Sequence, residues 1–283
     1  SGITVANMDT SVRPQDDFYR YVNGAWLAST EIPGDRISWG GFTVLREESE
    51  INQRQIVQEL ASRADLVEGT EAQKVGDMFA SFMNAEAVNG LGAEPARPLL
   101  DRIAGIENAS DFMTVTGALS EYGVGTPLGI GVMIDPGDNS RHLPLVIQGG
   151  LGLPNRDYYL NEGENYDAIR AAYPDYLSTL FGLAGVEGDA AAVYEFERAL
   201  AVIQWPAEDL RDIQRMYNVV GVADLADEVT DAFDWRAMLG AAHLEAAEEI
   251  IVTQPDYLQA LAALLSETDP ATLWSYFAAR ILD

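Results

Sequence analysis

The chain of 283 residues contains no cysteine and only two histidines. The first absence excludes a disulfide framework, a cysteine-ligated metal and a cysteine nucleophile. The histidines, His142 and His243, lie about a hundred positions apart, and His243 is followed by Leu244-Glu245-Ala246-Ala247 with no second histidine one helical turn on. Neither has the spacing of a zinc-binding pair, so both read as surface or structural residues. Positive charge is equally scarce. Seventeen Lys and Arg stand against 45 Asp and Glu, for a formal net charge of -28. A nucleic-acid partner needs a basic face, and so does an anionic lipid surface. Neither is expected here, and the spread of acidic residues reads first as solubility. No run of about 18 apolar residues occurs, so no membrane span is expected. Ser1-Gly2-Ile3-Thr4 carries no signal peptide, as in a mature chain after cleavage. There is no Gly-x-Ser-x-Gly elbow. The glycines of 125–131 lack the Gly-Lys-Ser/Thr of a phosphate loop. Paired acids such as Asp16-Asp17 and Glu248-Glu249 fit caps and solvated faces better than a glycosidase pair.

What is present begins with an aromatic run. Phe18, Tyr19, Tyr21 and Trp26 fall within nine residues, and positions 18, 21, 22 and 26 share one helical face. Asp16 or Asp17 can cap this helix. Asn23-Gly24 signals a turn, followed by an extended crossing at Ile32-Pro33. Tyr21 and Trp26 are expected to be largely buried. Further helices are expected over 43–62, with Val44, Leu45, Ile51, Ile56, Val57 and Leu60 as candidate core, and over 71–89, with Val75, Met78, Phe79 and Phe82. Gly90 and Gly92 end the latter. Two more follow at 99–106 and 111–122, the second capped by Ser110 or Asp111. Residues 125–134 and 143–147 read as a β-hairpin around the turn cluster Asp135-Pro136-Gly137-Asp138-Asn139. Gln148 to Tyr159 should be an ordered irregular loop. Helices then recur at about 163–184, 189–204, 222–227, 235–240, 255–266 and 270–282, with Asp189, Asp256 and Asp269 at starts. The fold class is therefore mainly α with one small β-hairpin element.

Five blocks, in order, carry a resemblance. The first is Asp16-Asp17-Phe18-Tyr19-x-Tyr21-Val22-Asn23-Gly24-x-Trp26-Leu27, with Ile32-Pro33 and Gly41-Phe42-x-x-Leu45-Arg46-x-Glu48. The second is Leu151-Gly152-Leu153-Pro154-x-Arg156-Asp157-Tyr158-Tyr159. The third is Arg211-Asp212 with Tyr217-Asn218; the last two are Pro255-Asp256-Tyr257-Leu258 and Leu273-x-x-Tyr276-x-x-x-Arg280. Together they resemble the N-terminal half of the neprilysin and endothelin-converting-enzyme family of zinc metallopeptidases, in its cysteine-free bacterial form.

That resemblance implies a two-lobed, mainly helical peptidase that cleaves peptides in an enclosed cavity. Zinc is held in the family's second half by a His-Glu-x-x-His helix and a downstream Glu, with the motif Glu as general base. By this reading the chain has no catalytic residue and binds no metal itself. It needs a second polypeptide that carries the zinc site. Residues 1–50 are expected to pack on that catalytic lobe and border its cleft, and 51–283 to form the helical cap lobe. Phe42 and Arg46 match two of the four family residues that border the pocket for the residue after the cut. The family's first Arg there falls on Ser38 and its Asp on Thr43, with Arg36 two positions out of register. The alternatives are core packing for Phe42 and a surface ion pair for Arg46. The implied compartment is periplasmic or extracellular. The contrasting function is a stand-alone peptide-binding or inhibitory module that keeps the cap without the chemistry.

Overall fold

The computed structural model describes residues 3–283. The chain forms two compact units, Ser1–Val88 and Asn89–Asp283.

The first unit holds α1 (Phe18–Ser29), α2 (Gly41–Ser62), α3 (Glu71–Met83) and most of α4 (Ala85–Leu91), within which the division falls. Of the two aspartates, Asp17 caps α1, its carboxylate accepting from the Arg20 N–H at 2.9 Å. The turn expected at Asn23-Gly24 is absent, and α1 runs straight through it. Asn23 sends its side-chain amide back to the Tyr19 carbonyl instead. Gly24 lies where a Cβ would press on the Asp9 side chain, so glycine here serves a close approach, not a turn. Gly76 plays the same part in α3, where a Cβ would sit 3.0 Å from the Leu60 carbonyl oxygen of α2. The helix expected over 71–89 breaks at Asn84, whose side chain accepts from the Ala87 N–H and starts α4. The boundary expected at residue 50 lies in the middle of the unbroken α2.

This unit has almost no interior. Among the described residues of α1 to α4, Gly76 alone is buried. The expected burial of Tyr21 and Trp26 is corrected to half-burial, and Phe18 is 68% exposed. Leu45, Ile51, Ile56, Val75, Met78 and Phe82 are exposed as well. The apolar positions recur with helical spacing, but only Val44, Val57, Leu60 and Phe79 of the expected core in α2 and α3 reach half-burial.

The second unit is the opposite case. It contains α5 (Arg97–Arg102), α6 (Ala109–Ser120), β1 (Leu128–Ile134), β2 (His142–Gln148), α7 (Asp157–Leu160), α8 (Glu164–Ala184), α9 (Ala190–Ile203) and α10 (Ile213–Met216). These are followed by β3 (Val219–Gly221), α11 (Leu225–Glu228), α12 (Trp235–Ala241), β4 (Glu249–Val252), α13 (Pro255–Glu267) and α14 (Pro270–Leu282). One continuous core joins them, centred on aromatic rings: Phe112 lies 4.3 Å from Phe277 between centroids, and Phe196 lies 4.9 Å from Tyr276. Asp189 and Asp269 cap α9 and α14 as expected. The cap of α6 is Asn108, whose carbonyl oxygen takes the Ser110 and Asp111 N–H groups, not Ser110 or Asp111 itself.

The hairpin is part of something larger. Strands β1 and β2 pair antiparallel from Leu128↔Gln148 to Ile134↔His142, and β2 then pairs parallel with β4, and β4 antiparallel with β3. The result is a four-stranded mixed sheet in the order β1-β2-β4-β3. Strands β3 and β4 are three and four residues long, too short for a period-two pattern to show in the sequence.

A close approach in this core is directly testable. A Cβ on Gly117 in α6 would collide with the Met238 carbonyl of α12. Gly117→Val is expected to cost about 1–3 kcal/mol, as overpacked sites do, read as a lower urea midpoint at unchanged slope. An unshifted midpoint would show that α6 and α12 part freely.

Candidate functional site

The two residues singled out for substrate contact lie at the start of α2. Phe42 is 93% exposed. Arg46, one turn on, shares its helix face, and its Nε donates to Glu50 Oε1 at 2.8 Å. Both side chains reach solvent, so core packing is excluded for Phe42 within its own unit. The Arg46–Glu50 pair is exposed on both sides and is therefore weak.

No zinc site fits these residues. His142 is exposed at the start of β2. His243 sits just past α12 with φ 59°, its side chain 3.7 Å from Glu121 Oε2 and open to solvent. Among the described residues, no group of three or more His, Asp or Glu is placed to hold a metal ion. No step of metal chemistry can be derived from this chain.

Polar contacts of the second unit converge on the connection from the end of β2 through the loop 149–156 into α7, the expected loop over 148–159 being shorter because α7 begins at Asp157. Gln148 exchanges two bonds with the Trp205 backbone, donating to its carbonyl at 3.0 Å and accepting from its N–H at 2.8 Å. Gln204 donates to the Gly149 carbonyl at 2.7 Å. The Tyr276 hydroxyl donates to the Gly150 carbonyl at 2.6 Å. Gly150 has φ +82° and lies against that hydroxyl, so only glycine fits. The Arg156 Nε donates to the Ala201 carbonyl at 3.1 Å. A cavity of about 260 Å³ opens between this loop and the segment after α9, with Leu151, Pro154, Arg156, Trp205 and Leu210 in its wall.

Beneath the loop lies a fully buried carboxylate, Glu197 of α9. The Tyr159 hydroxyl donates to its Oε2 at 2.6 Å while accepting from the Leu153 N–H at 2.9 Å. Arg280 of α14 faces Oε1 at 3.5 Å and also holds Asp283. Burial pushes the Glu197 carboxyl above its usual range, against the Tyr159 hydroxyl and the Arg280 guanidinium, which favour the charged form. Burial first, and the neighbouring Glu197 charge second, raise the Tyr159 and Tyr173 hydroxyls well above the tyrosine range. Both hydroxyls stay protonated; that of Tyr159 donates to Glu197, and the buried Tyr173 hydroxyl has no hydrogen-bond partner among the described residues.

A second polar knot closes the hairpin. Asp135, 1% exposed, accepts from the Tyr217 hydroxyl at 2.5 Å, the Gly137 N–H at 2.8 Å and the Arg141 Nε at 2.7 Å. Arg141 reaches on to Glu249 of β4 at 2.5 Å. The Tyr217 hydroxyl first, then the Gly137 N–H and the Arg141 guanidinium, hold the Asp135 carboxyl at about 2, while burial opposes them. Asn218 donates to the Val252 carbonyl of β4 and accepts the Val252 N–H.

Sequence reasoning found Tyr159, Tyr217, Asn218, Asp256, Tyr257, Tyr276 and Arg280 as motif positions but not what they do. Asp256 accepts from the Trp205 indole N–H at 2.9 Å, and the Tyr257 hydroxyl holds the Pro127 carbonyl at 2.6 Å. It missed Glu197, Gln204 and Trp205. The available signal was an acid inside the apolar stripe of α9, between Phe196 and Leu200.

Residues 14–283 match the family described as peptidase family M13. Endothelin-converting enzyme 1 of Rattus norvegicus is 28% identical over 95% of this chain and 37% of its own length. An endothelin-converting enzyme homolog of Locusta migratoria is 29% identical over 90% of this chain and 37% of its own. Among solved structures, Mycobacterium tuberculosis zinc metalloprotease Zmp1 in complex with inhibitor is 34% identical, with a TM-score of 0.82 over 100% of this chain and 43% of that one. The chain thus spans about two fifths of the length of the proteins it matches.

Two stability tests follow. Glu197→Ala leaves Arg280 buried without its partner and is expected to cost about 3–5 kcal/mol, with Glu197→Gln milder; urea titrations of both read this. Asp135 has a folded pKa below its unfolded value near 3.9. Its stabilisation is therefore present above about pH 4 and lost as pH falls toward about 2. Asp135→Asn should remove that acid-side dependence from the melting temperature, and an unchanged pH slope would show the knot to be unimportant.

Proposed function

The chain belongs to peptidase family M13, and from that premise we propose that it is the helical-lobe portion of a neprilysin-like zinc endopeptidase. It acts on peptides only together with a catalytic portion that carries the His-Glu-x-x-His helix. Zinc belongs to that portion.

One observation carries the reading. The first unit presents Phe18, Ile37, Phe42, Leu45, Met78 and Phe82 to solvent, and among its described residues no apolar side chain is fully buried. Isolated helices of this kind gain most of their stability from tertiary packing. Exposed apolar side chains in such number point to an interaction surface. The matched length, 37–43% of the relatives, leaves their larger part unrepresented, and that part supplies the cover. On this reading residues 1–50 pack on the catalytic lobe, and Phe42 and Arg46 border the peptide cleft. Arg46 then exchanges Glu50 for a peptide carbonyl or carboxylate. Ser38 and Thr43 leave out two of the family's polar contacts, so peptide choice here rests less on charge at that pocket. The compartment we assign is periplasmic or extracellular, on the likeness to endothelin-converting enzymes.

The test is to purify the chain, assay peptide cleavage, and then add a polypeptide carrying the catalytic portion. Activity is expected from the mixture alone. In that mixture Arg46→Ala should lower peptide turnover about tenfold or more, the scale of a lost charge-assisted hydrogen bond, with the circular dichroism unchanged. Trp26→Ala should barely move the melting temperature of this chain alone and should lower that of the complex. Cleavage by this chain alone would overturn the proposal. A stable, inert monomer that ignores the added half would assign the lobe to a stand-alone binding module.

A further inference from the structure

Strand β1 has one side with no partner. Its register with β2 is bracketed by two ladder bonds, Gly149 N–H to the Pro127 carbonyl at 2.9 Å and Asp135 N–H to the Arg141 carbonyl at 3.1 Å. Antiparallel ladders alternate, so the odd positions 129, 131 and 133 face β2. The even positions Leu128, Ile130, Val132 and Ile134 turn their N–H and carbonyl groups outward. The Leu128 carbonyl is taken by the Thr126 hydroxyl at 2.8 Å. Among the described residues, nothing bonds the outward groups of Ile130, Val132 or Ile134. The strand is the end of the sheet order, so no further strand covers it.

Such edges are normally blunted by Lys, Pro or a bulge. Leu128–Ile134 has none of these and no charged residue. Its outer end is apolar and open: Val132 is 57% exposed and Ile134 55%. The closing turn is rigid, because Asp135 is bonded on three sides. Three residues with outward backbone groups in one line match the spacing of another extended backbone.

Charge selects among the strands that could add. At the outer end the turn's exposed Asp138 and buried Asp135, with Glu249 of β4, outnumber Arg141, which pairs with the latter two. The whole chain carries -28, so a second copy is repelled. We infer that the outer edge of β1 is a docking strand for an extended peptide with basic residues and apolar residues in alternation, held by main-chain pairing at Ile130, Val132 and Ile134. That the occupant is a peptide rests on the peptidase reading above. The edge lies apart from Phe42 and Arg46 in the sequence and belongs to the other compact unit. It therefore adds a selection by backbone and charge that the cleft residues do not supply.

The register offers a sharp test. The Val132 N–H faces outward, so Val132→Pro removes a docking donor and leaves the β1–β2 ladder intact. The probe is the fluorescein-labelled peptide Lys-Val-Thr-Val-Lys-Val-Thr, with a twin bearing Glu for Lys and a twin N-methylated at alternate residues. Fluorescence anisotropy with the full chain should show binding of the Lys peptide and at least tenfold weaker binding of both twins. Val132→Pro should weaken the Lys peptide at least tenfold with an unchanged circular dichroism spectrum. Should that variant fold poorly, Val132→Lys keeps the backbone and places positive charge on the edge, with the same expected loss. Absence of binding, equal binding of the Lys and Glu peptides, or binding that neither variant weakens would overturn the inference. A concentration-dependent dimer abolished by Val132→Lys would assign the edge to a second copy instead. Because the assay uses no catalytic portion, edge binding without any cleavage by the mixed halves would sink the peptidase reading and not the docking strand.

Discussion

The contact on which the second unit depends is the buried pair of Glu197 and Arg280. Removing both charges from water costs several kcal/mol per ion, and at 3.5 Å a single contact does not offset that by itself. The remaining compensation comes from hydrogen bonds, and these reach outward. Tyr159 ties Glu197 to the Leu153 N–H, and Arg280 runs on to Asp283. One helix position in α9 thus fixes the end of α14 and the middle of an irregular loop together. Loops without regular structure have many orphan backbone groups. Here Gln204 and the Tyr276 hydroxyl meet the Gly149 and Gly150 carbonyls, and the Tyr159 hydroxyl takes the Leu153 N–H.

The first unit shows the reverse condition. It has side-chain caps on α1 and α3, apolar residues at helical spacing and one close helix–helix approach at Gly76, so local structure is well specified. What it lacks is anything to close over the apolar faces. Local sequence preferences and packing agree in the second unit and part company in the first, and consistency between levels is the mark of a self-sufficient fold. The inconsistency is informative precisely because the second unit, built from the same chain, has none of it.

That contrast also sets what could be read from residues alone. The long helices of the second unit are legible nearly to the residue, as at 255–266 against Pro255–Glu267, because a buried face leaves a strong period; the short ones are not, with 99–106 and 222–227 displaced from Arg97–Arg102 and Leu225–Glu228 and no sign of α7 or α10. The same period over 43–62 promised a core that is not there, since periodicity reports that a face is apolar and not what covers it. Gly24 misled because glycine serves turns and close approaches alike, and only tertiary structure tells which. Strands β3 and β4 left no pattern. They exist because Asn218 and Val252 exchange bonds and β2 offers β4 an edge, contacts 34 and more positions apart. Of the site, the motif positions were visible and their partners were not. Glu197 is an acid in an apolar helix face, and Gln204 and Trp205 mark nothing until they meet the loop.

The blocks that make the family recognisable are therefore mostly scaffold in the second unit. Tyr217 holds a turn, Tyr257 and Tyr276 hold single carbonyls, and Arg280 balances a buried acid. Each role demands one side chain of one length at one place, with a buried donor or acceptor left stranded if it changes. Such constraints bind a sequence as tightly as catalysis does. They explain how a chain with no zinc-binding cluster among its described residues carries so clear a peptidase signature. The signature specifies a scaffold, and in the second unit the edge strand of that scaffold, β1, keeps unpaired backbone groups among the described residues.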